Sequence, residues 1–158
     1  KVFDVHLMIN RVEKFLDDYI RAGSDIITFH IEIKEDIENI IKKIKAKGIK
    51  CGLAIKPKTS WAEIQPYLQH IDQVIIMTVE PGFGGQEFMN DQVDKIKNIS
   101  NFIKLNNLRV GIEIDGGINF ETGQTCVEAG ANILVAGSFL FNQGDLIAAT
   151  NSLSDKFK

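Results

Sequence analysis

Gln73-Val74-Ile75-Ile76-Met77-Thr78-Val79 runs directly into Glu80-Pro81-Gly82-Phe83-Gly84-Gly85-Gln86. The first seven residues are almost continuously apolar and show no alternation. That pattern belongs to a strand covered on both faces, which is the signature of a parallel sheet with helices packed outside it. The second seven place three glycines within four positions, where the strand must end and the chain must turn. They could form a lid or a loop whose backbone approaches a phosphate, with plain turn chemistry as the simplest alternative.

The same alternation continues in both directions. Toward the C-terminus the pattern predicts a long helix from about 87 to 105 and a strand over Arg109–Ile114. A helix over Phe120–Ala129 closed by Gly130, a strand over Asn132–Ala136 and a helix over Leu146–Leu153 follow. Toward the N-terminus, Thr59-Ser60-Trp61-Ala62-Glu63 caps a short helix to Leu68, preceded by a strand over Ile49–Ile55. Before it come a lysine-rich helix, Glu35–Lys47, a strand, Asp25–Glu32, a helix, Arg11–Ala22, and an opening strand, Phe3–Met8. Six βα units in one 158-residue domain leave two architectures, an open doubly wound sheet or a (β/α)₈ barrel.

Composition excludes several classes. With 44% hydrophobic and 25% charged residues the chain is too apolar for disorder and has no coiled-coil bias. Eighteen Lys and Arg against 21 Asp and Glu give a net charge of −3, which leaves no cationic excess for nucleic acid. The lysines at 42, 43, 45, 47 and 50 stand among Glu35, Asp36 and Glu38 and read as a solvated face. No apolar run is long enough to span a membrane, and no signal-peptide layout opens the chain. Cys51 and Cys126, far apart, suggest neither a disulfide framework nor a zinc knuckle, so a cytoplasmic setting is expected.

Alternate strand residues share a face. Asp4, His6 and Met8 fall together, as do Thr28, His30 and Glu32, and again Gly111, Glu113 and Asp115. A barrel accounts for these polar faces by turning them inward beneath a mouth at the C-terminal strand ends, where His6 and Asp115 lie. His30 reads as an ordinary core histidine and His70 as surface. Asp115-Gly116-Gly117 sets a carboxylate on the rim, with glycines that let backbone approach a ligand. Ala136-Gly137-Ser138 follows the last strand, and with the earlier glycines offers a nest of backbone N–H groups for an anion.

Five segments carry a resemblance: Asp4-Val5-His6-Leu7-Met8, Phe29-His30-Ile31-Glu32, Met77 through Gln86, Glu113-Ile114-Asp115-Gly116-Gly117 and Ala136-Gly137-Ser138. In this order they resemble the ribulose-phosphate 3-epimerases, metal-dependent (β/α)₈ barrels of the pentose phosphate pathway. The resemblance runs to about Phe141, with Ile114 where that family commonly has valine. It implies that this chain corresponds to strands three to eight and is N-terminally incomplete, lacking a Ser on the first strand and a His and a catalytic Asp on the second.

The resemblance further implies interconversion of D-ribulose 5-phosphate and D-xylulose 5-phosphate by two-base proton transfer through an enediolate. Asp115 would be a catalytic acid/base and, with His6, a ligand of one divalent ion (Zn, Fe, Mn or Co). His6, Gly82, Phe83, Gly84, Gly85, Asp115, Gly116, Gly117, Gly137 and Ser138 would contact the sugar phosphate, with Met8 and Met77 lining the pocket. The partner would be a small phosphorylated ketose, without nucleic acid or membrane. Open strand edges would favour a homo-oligomer, and the lack of a second acid/base and of two metal ligands would leave the isolated chain inactive. The alternatives are a non-catalytic phosphosugar-binding fragment and an allulose-6-phosphate 3-epimerase.

Overall fold

The strands run β1 (Asp4–Leu7), β2 (Ile26–His30), β3 (Lys50–Ile55), β4 (Gln73–Met77), β5 (Gly111–Asp115) and β6 (Ile133–Val135). A computed structural model, which describes residues 1–157, shows them as one parallel sheet in sequential order. Parallel neighbours need crossovers, and the helices supply them: α1 (Val12–Arg21), α2 (Ile37–Ala46), α3 (Trp61–Ile64), α4 (Val93–Leu105) and α5 (Phe120–Ala129). Two more follow β6, α6 (Ser138–Phe141) and α7 (Leu146–Lys156).

Four of the helices start on a local side-chain cap. Asp36, Ser60, Asn119 and Asp145 cap α2, α3, α5 and α7 by accepting a backbone N–H with their side chains. Ile40, Ile41 and Ile44 on α2 and Ile96, Ile99 and Ile103 on α4 recur at three- and four-residue spacing and are buried against the sheet. They meet Ile27, Phe29, Leu53, Ile55, Val74, Ile76, Ile112 and Ile114, the outward face of the strands. The inward face carries a small separate cluster, Ala54, Ile75, Met77 and Val79, among polar side chains.

The sheet is strongly curled. Strands β1 and β5 are four places apart, about 19 Å in a flat sheet at about 4.8 Å per strand. Yet His6 on β1 and Asp115 on β5 approach within 3.4 Å, and Asp4 on β1 accepts a 2.8 Å hydrogen bond from Gln73 on β4. Six strands curled this far form an incomplete (β/α) barrel, with β1 and β6 as its edges. One element departs from expectation. The predicted helix over 87–105 begins only at Val93, after a 3₁₀ turn over Asn90–Gln92. Met89 N–H donates to Thr78 O instead, which ties this segment back across the end of β4.

Candidate active site

Asp115 is the last residue of β5, and its position is fixed by the turn that follows. Thr78 donates its N–H to Asp115 O and its hydroxyl to Gly116 O. Thr122 Oγ1 donates to Gly117 O and accepts from Asn119 N–H, while Asn119 caps α5. The two glycines have a packing role as well. At φ +132° a Cβ on Gly116 would stand 2.8 Å from the Val79 nitrogen, and at φ +64° one on Gly117 would stand 2.7 Å from the Phe88 nitrogen. Their lack of side chains therefore also serves contact between the loops after β4 and β5.

His6 lies beneath Asp115 on the inward face of β1. Its Nδ1 is 3.4 Å from Asp115 Oδ2, and its Nε2 is 3.0 Å from His30 Nε2. His30 Nδ1 in turn is 3.2 Å from Glu32 Oε2. Burial acts to raise the Glu32 pKa. Hydrogen bonds from His30, Thr59 and the Lys56 backbone outweigh it and hold the carboxyl down to about 2. The four side chains form a line with a partly exposed carboxylate at each end, Glu32 and Asp115, and the buried His30 ring between Glu32 and His6. The sequence left His30 and Glu32 outside the candidate site, because their link to His6 depends on cross-strand register.

Above this line opens a cavity of about 680 Å³. Asp115, Met8, Met77 and Phe83 line it, as do Gly82, Gly84 and Gly85 from the loop after β4. Gly116, Gly117, Gly137 and Ser138 complete the set expected from the sequence. Of that set only His6 is not on the wall. Met77 is buried, whereas Met8 is half exposed just past the end of the edge strand β1. Gln86 Nε2 donates to both Glu80 O and Phe83 O, stapling the glycine-rich loop to itself. A Cβ on Gly84 or Gly85 would lie 3.7 or 3.9 Å from Ser138 Oγ, so the loop stands directly over the start of α6. Phe83, at its tip, is 75% exposed.

Deeper in the interior, burial pushes the Glu113 carboxyl up to about 8, with the charges of Asp4 and Asp115 adding to the effect. Glu113 shares a hydrogen bond with Asp4, which also accepts from Gln73. Among the described residues no three His, Cys, Asp or Glu side chains converge as a metal-holding group, so His6 and Asp115 stand as a pair. Cys51 and Cys126 are free and buried, and burial pushes both thiols up to about 12. No helix among the described residues is long and apolar enough to cross a membrane. His70 is exposed, as expected.

Comparison with known proteins gives this arrangement a lineage. In solved structures the fold is similar to KGPDC from Streptococcus mutans (TM-score 0.70, 15% identity, 99% of this chain and 72% of that one). It is also similar to a 3-hexulose-6-phosphate synthase (TM-score 0.66, 19% identity, 92% and 68%). At such identities the likeness concerns the barrel alone. In sequence the chain is 39% identical over 143 residues to a ribulose-phosphate 3-epimerase of Bacillus subtilis (strain 168), covering 90% of this chain and 66% of the relative. It is 42% identical over 147 residues to one from Candida glabrata, covering 90% and 56%, and 36% identical over 142 residues to one from Escherichia coli (strain K12), covering 90% and 63%. The chain thus spans between 56% and 66% of the length of these relatives. The model of the ribulose-phosphate 3 epimerase family matches residues 1–141, a stretch that takes in every site residue expected from the sequence, from His6 to Ser138. By that match and these identities, the chain belongs to the ribulose-phosphate 3-epimerase family.

Proposed function

We propose that the natural protein epimerises D-ribulose 5-phosphate and D-xylulose 5-phosphate at C3. The observation that carries this is the Asp115 carboxylate, one quarter exposed at a strand end, with the His6 imidazole 3.4 Å away and a phosphosugar-sized cavity above. Epimerisation requires proton removal from one face of C3 and return to the other, through an enediolate. In this reading Asp115 carries the proton on one face, and the resemblance puts the opposite acid/base on a strand with no counterpart in this chain. Met8 and Met77 offer an apolar, polarisable wall that keeps water from the planar carbon.

The donor set suits a divalent metal. Two ligands at about 2.1 Å in a tetrahedral shell lie about 3.4 Å apart, the separation between His6 Nδ1 and Asp115 Oδ2. A cation there would act as a Lewis acid toward the developing oxyanion, and mixed N/O donors accept Zn, Fe, Mn or Co. For the phosphate we propose the backbone around Gly84, Gly85 and Gly137 together with the Ser138 hydroxyl, which lie close together on the cavity wall. The two free, buried thiols favour a reducing, cytoplasmic setting. Apolar side chains at the sheet edges, Val2 and Phe3 just before β1 and Ile133 and Val135 on β6, favour association with another copy.

The test is turnover of purified natural protein on ribulose 5-phosphate and on allulose 6-phosphate, with metal content measured in parallel. Faster conversion of the pentulose supports the proposal. Preference for the hexulose would move the substrate, and binding of both without turnover would make the protein a phosphosugar-binding one.

A further inference from the structure

The line Asp115–His6–His30–Glu32 has three contacts, at 3.4, 3.0 and 3.2 Å, each needing one hydrogen or cation between two acceptors. Two neutral imidazoles bring only two N–H protons. Which contact lacks one is decided at His30. Glu32, held down to about 2, is a full anion at neutral pH, and His30 is the more enclosed imidazole, its side chain 6% exposed against 15% for His6. A bare nitrogen lone pair on His30 facing that carboxylate would set two acceptors together at 3.2 Å. His30 Nδ1 therefore carries its proton toward Glu32, which leaves Nε2 as a lone pair. His6 Nε2 must then donate to it, and the rings, 22° from parallel, leave the two Nε2 atoms 3.0 Å apart. Nothing remains on His6 Nδ1 but its lone pair, aimed at Asp115.

We infer that His30 and Glu32 are positioning residues that fix the His6 tautomer, so that His6 Nδ1 is presented unprotonated beside the Asp115 carboxylate. This deepens the metal reading above and rests on it for its purpose, though not for its geometry. Without the relay His6 could rotate or protonate at Nδ1, and donate to Asp115 in place of binding a cation. Outer partners that orient a histidine ligand commonly account for about 10- to 100-fold in metal affinity.

Two measurements test it. The first is a two-bond ¹H–¹⁵N correlation spectrum of histidine-labelled, metal-free protein at about pH 8.5, where ordinary imidazoles are neutral. The expected pattern is Nδ1–H for His30 and Nε2–H for His6, and the reverse assignment of either ring overturns the relay. The second is Zn²⁺ affinity by chelator competition in His30→Leu and His30→Gln, with thermal unfolding of each. Leu should weaken binding about 10- to 100-fold. Gln should restore most of the loss, because its carbonyl oxygen can accept from His6 Nε2–H. Wild-type affinity in the Leu variant, or equal loss in both at unchanged melting temperature, overturns the proposal. Wild-type protein that takes no Zn²⁺ would overturn the metal reading of the preceding section instead, and the metal-free spectrum would still decide the relay.

Discussion

Met77 and Asp115 are Cα partners on neighbouring strands, so a thioether and a carboxylate emerge side by side on the same face at the mouth of the sheet. The pairing places the proposed proton carrier against an apolar wall rather than in open water. Asp115→Asn keeps the shape of the side chain and the turn beneath it but cannot take a proton. Its kcat for the pentulose phosphate should fall by about 10² or more. Retention of more than about a tenth of wild-type kcat would remove Asp115 from the acid/base role.

His6→Ala should lose metal and activity together. The ring is mostly buried but sits in a polar interior, so the variant should fold, with a modest drop in melting temperature. Elemental analysis is the direct check. Unchanged metal content in pure, folded variant would show that His6 is not a ligand.

The phosphate proposal is tested most cleanly at Gly137. A Cβ built there meets nothing within 4 Å, so Gly137→Ala should fold normally while narrowing the cavity. KM for the sugar phosphate should rise several-fold with little change in kcat. A substitution at Gly85 would be less informative, because its φ of +77° strains any other residue. An unchanged KM in Gly137→Ala would leave the nest without support.

A fourth expectation concerns the interior alone. Gly52 pairs with Thr28 in register, and a Cβ on Gly52 would fall 2.1 Å from Thr28 Oγ1, which is buried without a hydrogen-bond partner. Gly52→Ala should cost about 1–3 kcal/mol through overpacking. In a Thr28→Ala background that cost should shrink, because the clashing hydroxyl is gone. Denaturant unfolding of the four proteins reads the coupling, and simple additivity would disprove the contact.

Glu32 and Glu113 shift in opposite directions from a common 4.5, to about 2 and about 8. Glu32 contributes stability above pH 4.5 that is lost as the pH falls toward 2. Glu113, neutral when folded, contributes stability below pH 4.5 that is lost as the pH rises toward 8. Glu113→Gln mimics the protonated acid and should flatten the decline between pH 4.5 and 8 while leaving the acid limb unchanged. Melting temperatures measured across that range decide it. An unaltered slope in the variant would mean that Glu113 is ionised in the fold.

What the sequence disclosed follows how local each signal is. Helix α5 lies where it was expected, Phe120–Ala129, because Asn119 and Gly130 bound it from within a few residues. The inward polar faces were legible from period-two alternation. The start of α4 was not, since residues 87–92 are drawn into a loop by a bond from Met89 to Thr78, a partner on another element. The same limit hid the roles of His30 and Glu32, whose contact with His6 exists only once β1 and β2 are laid in register. Gly116 and Gly117 were recognisable as special positions, but their neighbours Val79 and Phe88 come from the preceding βα unit.

A curled sheet with two free edges behaves like a bent leaf spring, whose radius is set by whatever holds its ends toward each other. Here the cross-ties are polar: Asp4 to Gln73 low in the interior, and His6 beside Asp115 near the mouth. Loosening the lower tie would let the spring relax and spread the upper one, shifting the separation between the imidazole and the carboxylate without touching either. The aperture that admits a ligand is therefore tuned from the floor. A charge change at Asp4, exposed on the edge strand two residues before His6, would be felt first as altered spacing at the rim.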